Sequence, residues 1–252
     1  GNLAPASLMV AGTAPTNFQG VLAGSTPPSA CITLTNTGGT NLTGLAITQA
    51  LTSPFGFPTS SVACPNLQCG VSLPPNGSCS IPVTFSPTLR GSYTSPFNLS
   101  YFDGAQTKTS NSTIQGNAVQ TCTVTNQEFL IFFCNDTQNA AICHHDDGGG
   151  RTGGSKVYTL PADANITSFR ITELQVDDNS PIIMLNGTQV YSLSEATNVT
   201  SHLITPLTID IKNIIRGGQN TFTASFYNIS GPGRATPKLT GSYTTGSACS
   251  VN

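Results

Sequence analysis

At 252 residues the chain is long for one small β domain and comfortable for two, since single cores of ~100 to 150 residues are commonest. Only 8% of its residues are charged, the formal net charge is −2 and hydrophobic content is 37%. These values exclude the basic footprint of a nucleic-acid binder and the highly charged make-up of a disordered chain. No apolar run approaches the ~18 residues of a membrane-spanning helix, so no bilayer span is expected.

Eight cysteines divide four and four: Cys31, Cys64, Cys69 and Cys79, then Cys122, Cys134, Cys143 and Cys249. An even count without C-x2-C spacing predicts disulfides in an oxidising compartment rather than zinc, and hence a secreted or cell-surface protein. The chain opens at Gly1 with no charged n-region or apolar h-region, so a signal peptide is either already removed or lies outside this sequence. Nine Asn-x-Ser/Thr sequons occur, at Asn41, Asn76, Asn98, Asn111, Asn135, Asn165, Asn186, Asn198 and Asn228. Chance in so Asn- and Thr-rich a chain supplies about five, so surface glycosylation and accidental sequons both remain open.

In chain order, "GNLAPASLMVAG" alternates from Leu8 to Val10 and predicts either the first strand of its own sandwich or a strand donated to a neighbouring subunit, as in fibres. In "ACITLTN", Ile32 and Leu34 alternate with Thr33 and Thr35; in "FNLSYF", Phe97, Leu99 and Tyr101 share a face. Turn signals such as "NTGGTN", "PPNGS", "LNGT", "RGGQN" and "SGPGR" separate these short runs and predict antiparallel sheets throughout. A boundary near "QGNAVQTCTVT" divides the chain into domains 1–119 and 120–252.

The strand ending "LTNTG", the turn "LPPNGSC", the strand "VTFSP" and the "GSY" opening the next strand together resemble the ASH-type or choice-of-anchor immunoglobulin-like domains, over about residues 5–119. The resemblance implies an immunoglobulin-like sandwich acting as a structural or interaction module. Within it, Pro74, Pro75, Asn76 and Gly77 supply a fixed φ followed by a left-handed position, so a hairpin is expected to reverse the chain between Val71 and Ile81. Cys69 and Cys79 would then lie on neighbouring strands and close a short bridge, leaving Cys31 with Cys64; four cysteines allow three arrangements, and the connectivity stays open. Ile81, Val83 and Phe85 are expected inward, with Ser80, Pro82 and Thr84 outward and Pro82 at an edge-tolerant position.

In the second half, "ITSFRITELQVDDNSPIIMLNGTQV" and "LTIDIKNIIRGGQNTFTASFYNISGPGRATPKLTGSY" resemble the galactose-binding-like jelly rolls over about residues 155–245. That resemblance implies a carbohydrate-binding face near Asp177, Asp178 and Tyr227, although the chain has no Trp to stack on a sugar. Asp177, Asp178 and Asn179 carry hard oxygens that suit calcium, the one candidate cofactor, and equally suit a solvated turn; no full ligand set is legible, and the metal stays unknown. Asn186-Gly187 predicts a hairpin turn. "CHHDDGGGRTGG", with His144, His145, Asp146 and Asp147, reads as an exposed loop anchored by a Cys134–Cys143 bridge, with Cys122–Cys249 tying the domain's first strand to its last.

Glu128, Glu173 and Glu195 stand isolated in sequence and no G-x-S-x-G elbow occurs, so catalysis is not expected. The expectation is all-β: two tandem antiparallel sandwiches, immunoglobulin-like then jelly-roll-like, stapled by disulfides. The expected role is a secreted structural subunit or adhesin of an extracellular assembly, self-associating into a homopolymer such as a filament joined by strand addition. The alternative is a carbohydrate-binding module with glycans as partners.

Overall fold

The computed structural model describes residues 3–12, 17–133, 151–177, 179–193, 202–227 and 234–249. Two compact units divide the chain, Gly1–Gln120 and Thr121–Asn252. Every regular element among the described residues is a β-strand. No helix there is long and apolar enough to cross a membrane.

In the first unit, β1 (Leu8–Gly12), β3 (Ser29–Asn36), β5 (Phe55–Gly56) and β7 (Ser78–Phe85) form one sheet in the order β1-β3-β7-β5. The facing sheet contains β4 (Leu42–Ile47), β6 (Ser72–Leu73), β8 (Gly91–Phe102) and β9 (Thr107–Glu128) in the order β9-β8-β4-β6, with β2 (Asn17–Leu22) running parallel to β9. This is an immunoglobulin-like sandwich whose first two strands serve opposite sheets. Period-two alternation makes it: Ala30, Ile32 and Leu34 are buried while Cys31, Thr33 and Thr35 are half-buried, so one face of β3 supplies core and the other faces outward. Phe85 is fully buried and stacks on Phe55 at 4.9 Å and Phe18 at 5.4 Å, with Tyr93 meeting its edge at 5.8 Å. Burying one such ring contributes roughly 1.5–3 kcal/mol. Its close neighbour across the core is Gly116 of β9, where a Cβ would stand 2.6 Å from the Phe85 ring.

The turn at Pro74–Gly77 forms, with Asn76 at φ 58° and the Gly77 N–H donating to Pro74 O at 2.9 Å, but it is not a hairpin. β6 before it pairs with β4, whereas β7 after it pairs with β3, so the chain crosses from one sheet to the other. The reason is burial: Leu73 and Cys79 both turn into the core, and a hairpin would leave one sheet without its edge. Ser80 also departs from expectation, being fully buried. The long connection 57–71 lies over it, with the Ser80 N–H donating to Leu67 O at 2.9 Å and the Cys69 N–H donating to Ser80 O at 3.1 Å. Pro82 sits in the gap between this bridge and the β5 pairing at Thr84 and Phe85, where no ladder bond is missed. Two disulfides pin that connection to the first sheet, Cys31–Cys64 from β3 and Cys69–Cys79 from β7.

The second unit packs two sheets about its own core. β11 (Arg151–Leu160), β13 (Asn179–Leu185), β14 (Thr188–Ser192) and β17 (Gly218–Tyr227) form the order β11-β17-β13-β14. β12 (Asn165–Asp177), β15 (His202–Ile204) and β18 (Arg234–Thr245) run β15-β12-β18, and β18 has β9 as its other neighbour. β10 (Phe132–Phe133) also pairs with β18 and β16 (Ile209–Asp210) with β12. Tyr158, Phe169, Phe222 and Phe129 meet edge to face or tilted in the centre, at centroid distances of 5.4 to 6.4 Å. Gly241 lies under Phe169 as Gly116 lies under Phe85, a Cβ there falling 2.6 Å from the ring. The Tyr158 hydroxyl is buried without a hydrogen-bond partner among the described residues, and that burial, reinforced by Tyr243, raises its pKa. Asn186 and Gly187 both take positive φ, 50° and 81°, and form the two-residue turn between β13 and β14. Cys122–Cys249 joins β9 to the chain just beyond β18, closing 127 residues.

Candidate interaction surfaces

Residues 3–12 lie along the outer edge of the first sheet. β1 pairs antiparallel with β3 over five residue pairs, Leu8 opposite Asn36 to Gly12 opposite Ile32. Upstream, the segment crosses the turn between β3 and β4. The Thr37 N–H donates to Ser7 O at 2.7 Å, the Gly39 N–H to Ala4 O at 3.0 Å and the Ala6 N–H to Asp103 O at 3.0 Å. Gly38 makes this crossing fit: a Cβ there would overlap Pro5 O, Ala6 Cα and Ser7 N. Beneath the crossing Asn36 is fully buried. Its Nδ2 donates to Thr40 O at 2.8 Å and Leu73 O at 3.0 Å, and its Oδ1 accepts from Gly38 N–H at 3.0 Å and Ser7 N–H at 3.2 Å. All four bonding positions of the amide are therefore filled.

Asp103 closes the adjoining turn between β8 and β9. Its Oδ1 accepts from the Gln106 and Ala105 N–H groups, both at 2.8 Å, and Lys108 Nζ stands 3.9 Å from Oδ2. The Gln106 and then the Ala105 hydrogen bond hold its pKa below the ordinary 3.8. In the second unit Asp163 ties the end of β18 in the same way: Oδ1 accepts from Thr245 Oγ1 at 2.6 Å and Ser247 Oγ at 2.9 Å, and Oδ2 from Gly246 N–H at 2.7 Å. The Thr245 bond leads in lowering its pKa too. Both carboxylates accept hydrogen bonds from their own chain, an architectural use of acid groups.

A second feature is an apolar cleft of about 440 Å³ between β4 and the bridged connection 57–71, lined by Leu45, Ile47, Phe57, Val71, Ile81 and Leu99 among others. Val71 is 72% exposed at its rim and Phe57 45%. A third is the outward face of β8 and β9 in the first unit. Ser92, Thr94, Thr107, Thr109, Asn111, Thr113 and Gln115 are exposed there, and none is ionisable.

Two of the ligand-binding candidates, Asp177 and Tyr227, fall at strand ends of the second unit. Asp177 is the last residue of β12, opposite Arg234, and Tyr227 the last of β17, opposite Asn179 and Arg151. Asp178 lies outside the described residues, as do Cys134, Cys143, His144, His145, Asp146, Asp147 and Glu195. Among the described residues no three His, Cys, Asp or Glu side chains cluster to hold a metal ion. Glu128 and Glu173, isolated in sequence, converge on Lys238 at 4.0 and 3.0 Å. Of the sequon asparagines, Asn41, Asn76, Asn111 and Asn165 are exposed. Asn98 is half-buried, stands opposite Asn111 and donates from Nδ2 to Gln49 Oε1 at 2.8 Å. Asn186 donates from Nδ2 to Ile214 O and Asn220 Oδ1, each at 2.9 Å, and accepts at Oδ1 from Thr221 N–H. Asn135, Asn198 and Asn228 lie outside the described residues.

Sequence reasoning missed Asn36, Gly38 and Asp103. Gly38 and Asp103 sit in turns and Asn36 ends β3 beside one, where Asn and Asp hydrogen-bond nearby backbone and Gly permits close approach, and "TNTGG" and "YFDGA" are turn signals of that kind. Their roles as docking points for residues 3–8 needed the tertiary contact.

No family model matches the chain, and no curated protein matches it. Among solved structures, the ASH / PapD-like domain of human CEP192 (PapD-like domain 7) is similar at 14% identity and TM-score 0.32, over 46% of this chain and 87% of that domain. The secreted serine protease VesC from Vibrio cholerae is similar at 14% identity and TM-score 0.31, over 92% of this chain and 49% of the protease. The VesB protease of Vibrio cholerae is similar at 21% identity and TM-score 0.32, over 45% of this chain. The chain thus spans about half of the one protease and 32% of the other.

Proposed function

We propose that this chain is a structural or adhesive module of an extracellular assembly, built to associate with copies of itself. The uncharged outward face of β8 and β9 carries the reading: seven exposed Ser, Thr, Asn and Gln side chains with no like-charge repulsion to oppose a neighbour. Three disulfides support an oxidising location. The order of the second unit's sheets supports reading it as a jelly roll. Counting its main strands along the chain from β9 as one, and passing over the two-residue β10 and β16, the sheets run 6-3-8-1 and 2-7-4-5. Sedimentation velocity over a wide concentration range, with negative-stain microscopy of the same samples, tests the proposal. Oligomers or filaments growing with concentration are expected. A protein that remains monomeric at the highest concentration reached defeats the proposal, and saturable glycan binding by that monomer would favour the carbohydrate-binding module instead.

A further inference from the structure

We infer that β1 is an exchangeable strand: residues 3–12 of one copy dock on the β3 edge and the Gly38 notch of a second copy. The inference rests on the self-association proposed above and names the surface and partner through which it proceeds. The acceptor is preorganised. Of the four hydrogen bonds that saturate Asn36, three stay within the turn and its neighbour β6, and only the Ser7 N–H belongs to the incoming segment. A site whose polar groups are already held costs little to fill.

The segment is recognised mainly through its backbone and through small or apolar side chains. Ala4, Ala6 and Ser7 give or accept main-chain hydrogen bonds at the turn, Ala6 is buried, and Leu8 and Val10 pack half-buried on the core. A second copy's residues 3–12 carry the same atoms and fit the same notch, so an exchanged contact conserves every bond of the internal one. Gly38 sets the register, because the three nearest atoms a side chain there would meet belong to Pro5, Ala6 and Ser7. β1 is also an edge strand, paired on one side only among the described residues, and the next strand, β2, belongs to the opposite sheet. Withdrawal of residues 3–12 breaks that five-residue ladder and the hydrogen bonds of Ala4, Ala6 and Ser7 at the turns, and leaves β3 paired with β7. The internal arrangement is favoured by the tether; the exchanged one gains when neighbours are already held face to face, as the uncharged β8 and β9 surface would hold them.

Met9 lies opposite Thr35, so the full chain with Met9→Cys and Thr35→Cys reports which copy supplies β1. Equal amounts of isotopically light and heavy chains are mixed, allowed to assemble and oxidised, and the linked peptides are read by mass spectrometry. In exchanged material about half of the linked pairs should combine one heavy and one light strand. Linked pairs of a single isotope only, in material that does assemble, overturn the exchange while leaving self-association standing; single-isotope pairs in material that stays monomeric overturn both. A second variant adds no cysteine. Gly38→Ala should abolish assembly while peptide mapping still finds the Cys31–Cys64, Cys69–Cys79 and Cys122–Cys249 disulfides, since the side chain collides only with the docking segment among its nearest neighbours. Gly38→Ala material that assembles as wild type overturns the notch.

Discussion

Replacing Gly116 by Ala tests whether the first core is held by one ring lying over one glycine. The new Cβ would stand 2.6, 2.7 and 2.9 Å from Phe85 Cζ, Cε2 and Cε1. Carbon contacts relax near ~3.5 Å, so the ring would have to retreat by about 1 Å. It has nowhere to go, because Phe55, Phe18 and Tyr93 crowd it at 4.9, 5.4 and 5.8 Å. Overpacking of this kind costs about 1–3 kcal/mol. Gly116 is not among the residues with positive φ, so Ala also restricts the unfolded chain and returns about 0.4–1 kcal/mol. The net expectation is a loss of about 1–2 kcal/mol, or roughly 4–8 °C in Tm for a unit of this size. Urea unfolding with the disulfides intact, followed through tyrosine because the chain has no Trp, measures it. On a Phe85→Leu background the same Gly116→Ala change should cost at least ~0.5 kcal/mol less, a coupling that isolates the contact. A Gly116→Ala protein as stable as its parent on both backgrounds would refute the reasoning.

Three further outcomes follow from the same contacts. Asp103 and Asp163 both have pKa values lowered beneath 3.8 in the folded chain, so the unfolded chain takes up their protons first; their stabilisation is complete above about pH 4 and is lost as pH falls through the folded values. Urea midpoints should drop steeply below that pH, and less steeply in an Asp103→Asn, Asp163→Asn double variant, which keeps acceptors at both turns. Removing the bridges as Cys→Ser pairs should destabilise in the order of the loops they close, about 5 kcal/mol for Cys122–Cys249, about 4 for Cys31–Cys64 and about 3 for Cys69–Cys79, as read by thermal or urea unfolding. Asn186→Ala loses three hydrogen bonds and puts at φ 50° a residue that tolerates the left-handed region less well than Asn, costing about 2–4 kcal/mol, whereas Asn186→Gly accepts that φ without strain and should cost measurably less in the same assay.

What the residue order determined by itself is which side of each strand faces inward and where the chain turns. Ile32 and Leu34 against Thr33 and Thr35 admit one buried face, because a shift by a single residue would expose the whole set. Asn186-Gly187 likewise specifies its turn locally, since few residues accept two successive positive φ angles. Pairing between strands is a different matter. Pro74 to Gly77 encode a reversal equally well for a hairpin and for a step between sheets, and only the competition of Leu73 and Cys79 for the common core decides between them. Ser80 reads as an outward residue until a connection pinned by two disulfides covers it. Gly38 and Gly116 look like ordinary glycines in a Gly-rich chain. Their necessity comes from what crosses them, the backbone of residues 5–7 and the ring of Phe85, and such long-range approaches leave no periodic trace in sequence because each depends on two distant segments meeting.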